Sequence, residues 1–164
     1  MKTLNLDKIK ATLERVPEEF EGMVAQVGFP SGKNYEDGTS VAYVAAIQEF
    51  GAPAVGIPPR PFMQPTVKEE KDKWTKEIAA GAALVALGKT TAFDVLNAVG
   101  FQAANDMKAK IATIYTPPLA ESTLAARRRR GNTSTKPLND TGTMLAWLQH
   151  SVALEGSEFI AGGE

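Results

Sequence analysis

At 164 residues, with 43% apolar and 23% charged residues, the chain suits one domain with a sizeable core. A net charge of −1 argues against a general nucleic-acid or membrane-surface binder, and the absence of cysteine excludes disulfides and thiolate chemistry. One histidine, His150, argues against a His-based metal site, and MKTLNLDKIK lacks the apolar run of a signal peptide. The expectation is a soluble protein made in the cytosol, with no membrane partner and no cofactor.

Leu6, Ile9, Leu13 and Val16 recur at helical spacing, which predicts a short amphipathic helix ended by Pro17. Phe20 to Phe29 alternates as a strand with one face buried, and Pro30 to Ser40 is dense in turn formers. A short helix is expected from Tyr43 to Phe50, capped by Ser40 and stopped by Gly51.

Ile47 to Pro65, IQEFGAPAVGIPPRPFMQP, then packs five prolines and two glycines into nineteen residues. Proline fixes φ and pushes its predecessor to extended geometry, so Ile57, Pro58, Arg60 and Gln64 are expected to be extended. A segment this stiff holds Arg60, Phe62 and Met63 in place while the chain turns into a helix. Phe62 is expected to be buried, with Arg60 bonded to nearby backbone or a carboxylate.

Pro61 or Pro65 opens a long helix to about Leu87, with Val67, Trp74, Ile78, Ala82 and Val85 as its buried stripe. Its second half, IAAGAALVALG, is apolar nearly all round, which suits the core or a subunit interface. Thr91 with Asp94 reads as a capping box, and Phe93, Leu96, Gly100, Ala103, Met107, Ile111 and Ile114 carry the next helix to Pro117. So short a joint makes the two long helices antiparallel neighbours.

Ala120 to Asp140 is the least core-like region; Ser122 to Arg130 can form a brief helix, with Arg127, Arg128, Arg129 and Arg130 pointing outward. Thr141 to Gln149 reads as a short helix with Leu145 and Leu148 inward, and Ser151 to Gly156 as a strand to pair with Phe20–Phe29. The fold class is therefore α+β, with a single domain over 1–156 and a short mobile tail over 157–164.

Three signals resemble chemistry. Asp140-Thr141-Gly142 matches the aspartic-protease triplet, but it occurs once and precedes an amphipathic segment, so Asp140 or Thr141 is read as a helix cap. Gly88-Lys89-Thr90 lacks the upstream glycine of a phosphate-binding loop, since position 83 is Ala83. The four arginines suit an acidic protein surface or phosphates, without the aromatic interleaving of a single-strand binder. His150 has no nucleophile motif beside it, and Trp74 and Trp147 read as anchors. No nucleophile, base and oxyanion donor assemble, so the chain is not expected to be an enzyme.

Two segments taken together resemble a known family. AAIQEFGAPAVGIPPRPFMQPTV is similar to the pattern (I/H)-x-E-(F/Y)-G … I-P-(A/P)-R-P-F-(L/M)-x-P, matched by Glu49, Phe50, Gly51, Ile57, Pro58, Arg60, Pro61, Phe62 and Pro65. STLAARRRRGNTSTKPLNDTGTM resembles its second hallmark through Lys136, Pro137, Leu138, Asp140, Thr141, Gly142 and Met144. This pair resembles the tail-completion and head–tail joining proteins of long-tailed bacteriophages, a minor-tail or virion-morphogenesis family. Gln48 stands where members often carry His, and Thr143 where many carry Arg.

The resemblance implies a curved antiparallel sheet packed against two long antiparallel helices. It implies assembly in the host cytoplasm into a ring, commonly six-fold, between the tail tube and the head connector of the virion. Glu49, Phe50, Gly51, Arg60, Pro61, Phe62, Asp140, Thr141 and Gly142 would then be structural or interface residues. Arg127 to Arg130 would contact a partner or the packaged DNA in the lumen. The second reading is a nucleic-acid-binding accessory protein using the same arginines.

Overall fold

The structure, a computed structural model, describes residues 6–159 and is α+β, with six α-helices and one two-stranded antiparallel sheet. Helix α1 (Leu6–Phe20) leads into strand β1 (Met23–Gly28), and helix α2 (Val41–Phe50) follows a turn-rich loop. The long helices α3 (Met63–Ala86) and α4 (Ala92–Thr113) come next, then α5 (Glu121–Arg129), α6 (Thr143–Trp147) and strand β2 (Gln149–Leu154). Among the described residues no helix is long and apolar enough to cross a membrane.

Pro17 does not end the first helix, which runs on to Phe20. Proline lacks the amide that would bond back four residues, and this one stands in the last turn, where only Glu18, Glu19 and Phe20 follow it. The side chains of Leu6, Ile9 and Leu13, the expected apolar stripe, lie outside the described residues; Val16 is half-buried.

The two long helices run in opposite directions. Glu69 meets Lys110 at 2.6 Å and Lys73 meets Asp106 at 2.9 Å, so residue numbers fall on one helix as they rise on the other. Farther along, a Cβ on Gly81 would lie 2.4 Å from Val95 Cγ1, so glycine there lets α3 close on α4. Helix α4 starts on the expected capping box: Thr91 Oγ1 accepts from the Asp94 amide at 3.1 Å, and the Asp94 carboxylate accepts from the Thr91 amide at 3.4 Å. Its inner face buries Leu96, Ala103, Met107 and Ile111. Val67 and Phe93, expected in the buried stripes, are exposed.

β1 and β2 pair from Met23↔Leu154 to Gly28↔Gln149. The expected curved sheet is thus a two-stranded ribbon among the described residues, lying against α4. Such a ribbon depends on a helix for its stability. His150 faces α4, with its Nε2 3.0 Å from Asn97 Oδ1 and its ring edge-on to Phe101. The opposite face is crossed by Ser157–Phe159, part of the expected mobile tail. Gln26 Nε2 donates to the Ser157 carbonyl at 3.1 Å, and the Ser31 amide donates to that of Phe159 at 3.1 Å. Residues 160–164 of that tail lie outside the described residues.

The main core gathers Val41, Ala45, Phe62, Met107, Ile111, Met144 and Leu148 from α2, the corner before α3, α4 and α6. Phe62 is its largest side chain at 0% exposure, edge-on to Phe29 with centroids 6.2 Å apart. Burying such a side chain contributes about 2 to 3 kcal/mol. The proline-rich corner is therefore pinned at the centre of the molecule.

Candidate functional site

The corner is held by two charged residues that the fold buries. Helix α3 has no local cap: Phe62 stands at its N-cap, and no side chain of its own segment accepts the first amides. Those donors would be orphaned. Glu49, 5% exposed on α2, supplies the acceptor instead. Its carboxylate accepts from the amides of Phe62 at 2.7 Å, Met63 at 2.9 Å and Gln64 at 2.9 Å. Pro65 has no amide to satisfy, and a negative charge at a helix N-terminus is further stabilised by the helix dipole. Gln64 is therefore helical rather than extended, because the Glu49 bond to its amide outweighs the bias of a pre-proline residue against helical geometry.

Arg60, 4% exposed, does the complementary work at the other end of the corner. Its Nε donates to the Pro117 carbonyl at 2.7 Å, Nη2 to the Pro118 carbonyl at 2.8 Å, and Nη1 to Gln48 Oε1 at 3.2 Å. The planar guanidinium fork thus ties the exit of α4 to α2. Burial pushes the Arg60 pKa down. Gly51 completes the corner at φ 76°, where an added Cβ would lie 2.9 Å from the Pro59 nitrogen. Phe50 (66% exposed) and Pro61 instead face outward.

The second motif forms one wall of a cleft of about 450 Å³, between the Tyr35–Thr39 loop, α2, α5 and the Leu138–Met144 segment. Asp140 and Thr141 do not cap α6 as expected, since Gly142, at φ 81°, occupies the N-cap with no side-chain cap bond. Asp140 is drawn instead to α5: Arg130 Nη2 donates to it at 2.7 Å and Asn132 Nδ2 at 2.7 Å. Thr141 is exposed and shares a 2.7 Å bond with Thr143.

The four arginines do not all point outward. Arg127 is 4% exposed and donates through Nη1 to the carbonyls of Ser134 at 3.1 Å and Lys136 at 2.8 Å. Its buried Nε makes no hydrogen bond, although the Asp140 carboxylate lies 3.5 Å away. At that distance the contact is electrostatic attraction only. Arg128 pairs with Glu121 at 2.7 Å, which leaves Arg129 as the arginine of the run with no ion pair among the described residues.

Other sites were not evident in the sequence. Tyr35 lines the cleft, and its phenol pKa is raised first by burial and then by the charges of Asp140 and Asp37. Across α3 and α4, Asp106 accepts from Lys73 at 2.9 Å, Trp74 Nε1 at 2.9 Å and Gln102 at 2.8 Å. Burial pushes the Asp106 carboxyl up, but these bonds together outweigh it and hold the pKa down. Trp147 is half-buried, with Lys33 Nζ 4.3 Å above its ring. A local signal for the Glu49 brace did exist: RPFMQP offers no Ser, Thr, Asp or Asn to cap its helix, so the acceptor had to come from elsewhere.

Compared with protein-family models, with curated proteins and with solved structures, the chain matches none of them.

Proposed function

We propose that this chain is a structural virion protein of a long-tailed bacteriophage. In this reading it acts in tail completion or head–tail joining, by forming a ring of identical subunits at the neck end of the tail. The observation that carries the reading is the physical use made of the resembling residues. Glu49, Arg60 and Phe62 lock α2, α3 and the exit of α4 into one rigid corner. Leu138, Asp140 and Met144 line the adjoining cleft. A ring subunit needs a stiff frame of this kind, because small errors in angle accumulate around a closed assembly.

Exposed apolar side chains give such a subunit surface to cover. Leu84 and Leu87 stand out at the end of α3, Phe93 at the start of α4, and Tyr43 and Phe50 on α2. The subunit's partners would be further copies of itself, the tail tube protein and the head connector, with packaged DNA in the lumen. Docking, rather than catalysis, would be its activity. The nucleic-acid reading draws less support, since burial and ion pairing engage Arg127, Arg128 and Arg130.

Native mass spectrometry of the purified protein, followed by co-sedimentation with tail tubes, tests the proposal. A discrete multiple of the subunit mass that pellets with tubes is expected. A strict monomer that ignores both tubes and connectors would overturn it.

A further inference from the structure

The β-ribbon is open along one side. β1 and β2 pair without a bulge from Met23↔Leu154 to Gly28↔Gln149. The returning tail attends β1: Gln26 bonds the Ser157 carbonyl, and a Cβ on Gly28 would lie 3.9 Å from the Phe159 ring. Among the described residues no third segment bonds the main chain of Gln149–Ala153. Such an edge offers a row of amides and carbonyls to any strand laid beside it, and proteins that stay single blunt it with charge, proline or a bulge. QHSVAL holds no Asp, Glu, Lys, Arg or Pro.

Two exposed apolar side chains flank that strand. Alternate residues of a strand share a face, so Leu154 stands on the side of His150, which lies against α4. Leu154 is 65% exposed. Phe101 is 59% exposed, edge-on to His150 with ring centroids 5.8 Å apart. Four residues of strand separate Leu154 from His150 by roughly 13 Å, so one copy cannot cover its own phenylalanine with its own leucine. An antiparallel copy of β2 reverses the order and brings the two together.

We propose that β2 pairs edge to edge with β2 of a second copy of the chain, antiparallel and centred on Val152, to make a four-stranded sheet. That register sets His150 opposite the partner's Leu154, at about 5 Å between Cβ atoms. The leucine then covers Phe101, and the two-fold axis repeats the contact at the other end. Centring on Ser151 would set Leu154 opposite the partner's Leu148, which is already fully buried, and leave Phe101 bare. A shift by one residue on one strand would set the two faces against each other. The occupant is a second copy because the match is mutual: one end of the edge presents the leucine that the other end leaves an aromatic ring to receive. The contact stands apart from the ring reading, since a two-fold contact joins two copies and stops, pairing free subunits or joining two rings.

Native mass spectrometry of complementary variants tests the contact. Leu154→Lys and Phe101→Glu should each halve the copy number of the wild-type protein, with melting temperatures little changed, since both side chains are exposed. An equal mixture of the two should recover it, because one interface of the mixed pair joins lysine to glutamate and the other keeps the natural leucine and phenylalanine. The chain contains no cysteine, so a cross-link reads the register without background. Ser151→Cys mixed with Ala153→Cys should give a disulfide-linked dimer of one of each on mild oxidation, in far higher yield than either variant alone. A wild-type protein that is monomeric at every concentration overturns the contact. So does a copy number that survives Leu154→Lys with no mixed disulfide, and in that case a ring built on other surfaces still stands. Single variants that dissociate and do not recover on mixing would overturn the Val152-centred register.

Discussion

Glu49 and Asp140 each stand inside one of the two motif segments and each collects hydrogen bonds, but in opposite surroundings. Glu49 is buried and accepts from three main-chain amides that have no alternative acceptor. Asp140 is exposed and accepts from Arg130 and Asn132 side chains that water could serve instead. A buried donor stripped of its acceptor bears its full desolvation penalty, whereas an exposed ion pair contributes little. The first segment therefore decides whether the molecule holds its shape, and the second decides what surface it shows.

Changes at four residues sharpen that contrast. Glu49→Gln should have the largest effect, because an amide offers one acceptor atom where three amides need a carboxylate. A loss of about 3 kcal/mol or more in urea unfolding is expected. A loss under about 1 kcal/mol would mean that the α3 amides find water, and the contrast would fail. Arg60→Ala comes next, at about 2 to 3 kcal/mol, since the Pro117 and Pro118 carbonyls lose a charged donor. Arg60→Lys should recover only part of that, because an ammonium lacks the two-pronged fork.

Arg130→Ala should cost less than about 1 kcal/mol despite its 2.7 Å contact, as exposed pairs do. The smallest effect concerns acid. His150 has its pKa lowered from 6.5, first by burial and then by Lys108. A base with a depressed folded pKa contributes stability above its unfolded pKa, and that contribution is lost as pH falls through the folded value. Stability should thus begin to fall as pH drops below 6.5. His150→Asn should flatten that part of the profile, and an unchanged slope would show that other groups set it.

What the sequence made legible was local. Ser40 and Gly51 bound α2, Thr91 and Asp94 open α4, and the strand alternation from Phe20 found its partner near Ser151. Each of these signals lies within a few residues of what it specifies. What stayed hidden depends on contacts made across the fold. Glu49 caps a helix that begins fourteen residues later, on the far side of a stretch holding Pro53, Pro58, Pro59 and Pro61. Arg127 looks like its three neighbours until the Ser134 and Lys136 carbonyls curl around it. Asp140 was free to cap α6 by spacing alone, but the guanidinium of Arg130 offered a stronger partner. The curved sheet was expected because a family resemblance implied it, whereas the residues themselves carry two strand patterns.

Native-state hydrogen exchange tests the buried brace most directly. The amides of Phe62, Met63 and Gln64, bonded to Glu49, should exchange only through global unfolding, at the rate of the α4 core. In Glu49→Gln they should exchange far faster, while the amides of α4 around Ala103 and Met107 keep their protection relative to the variant's own global stability. Rapid exchange of these three amides in the wild-type protein, or unchanged protection in the variant, would contradict the account.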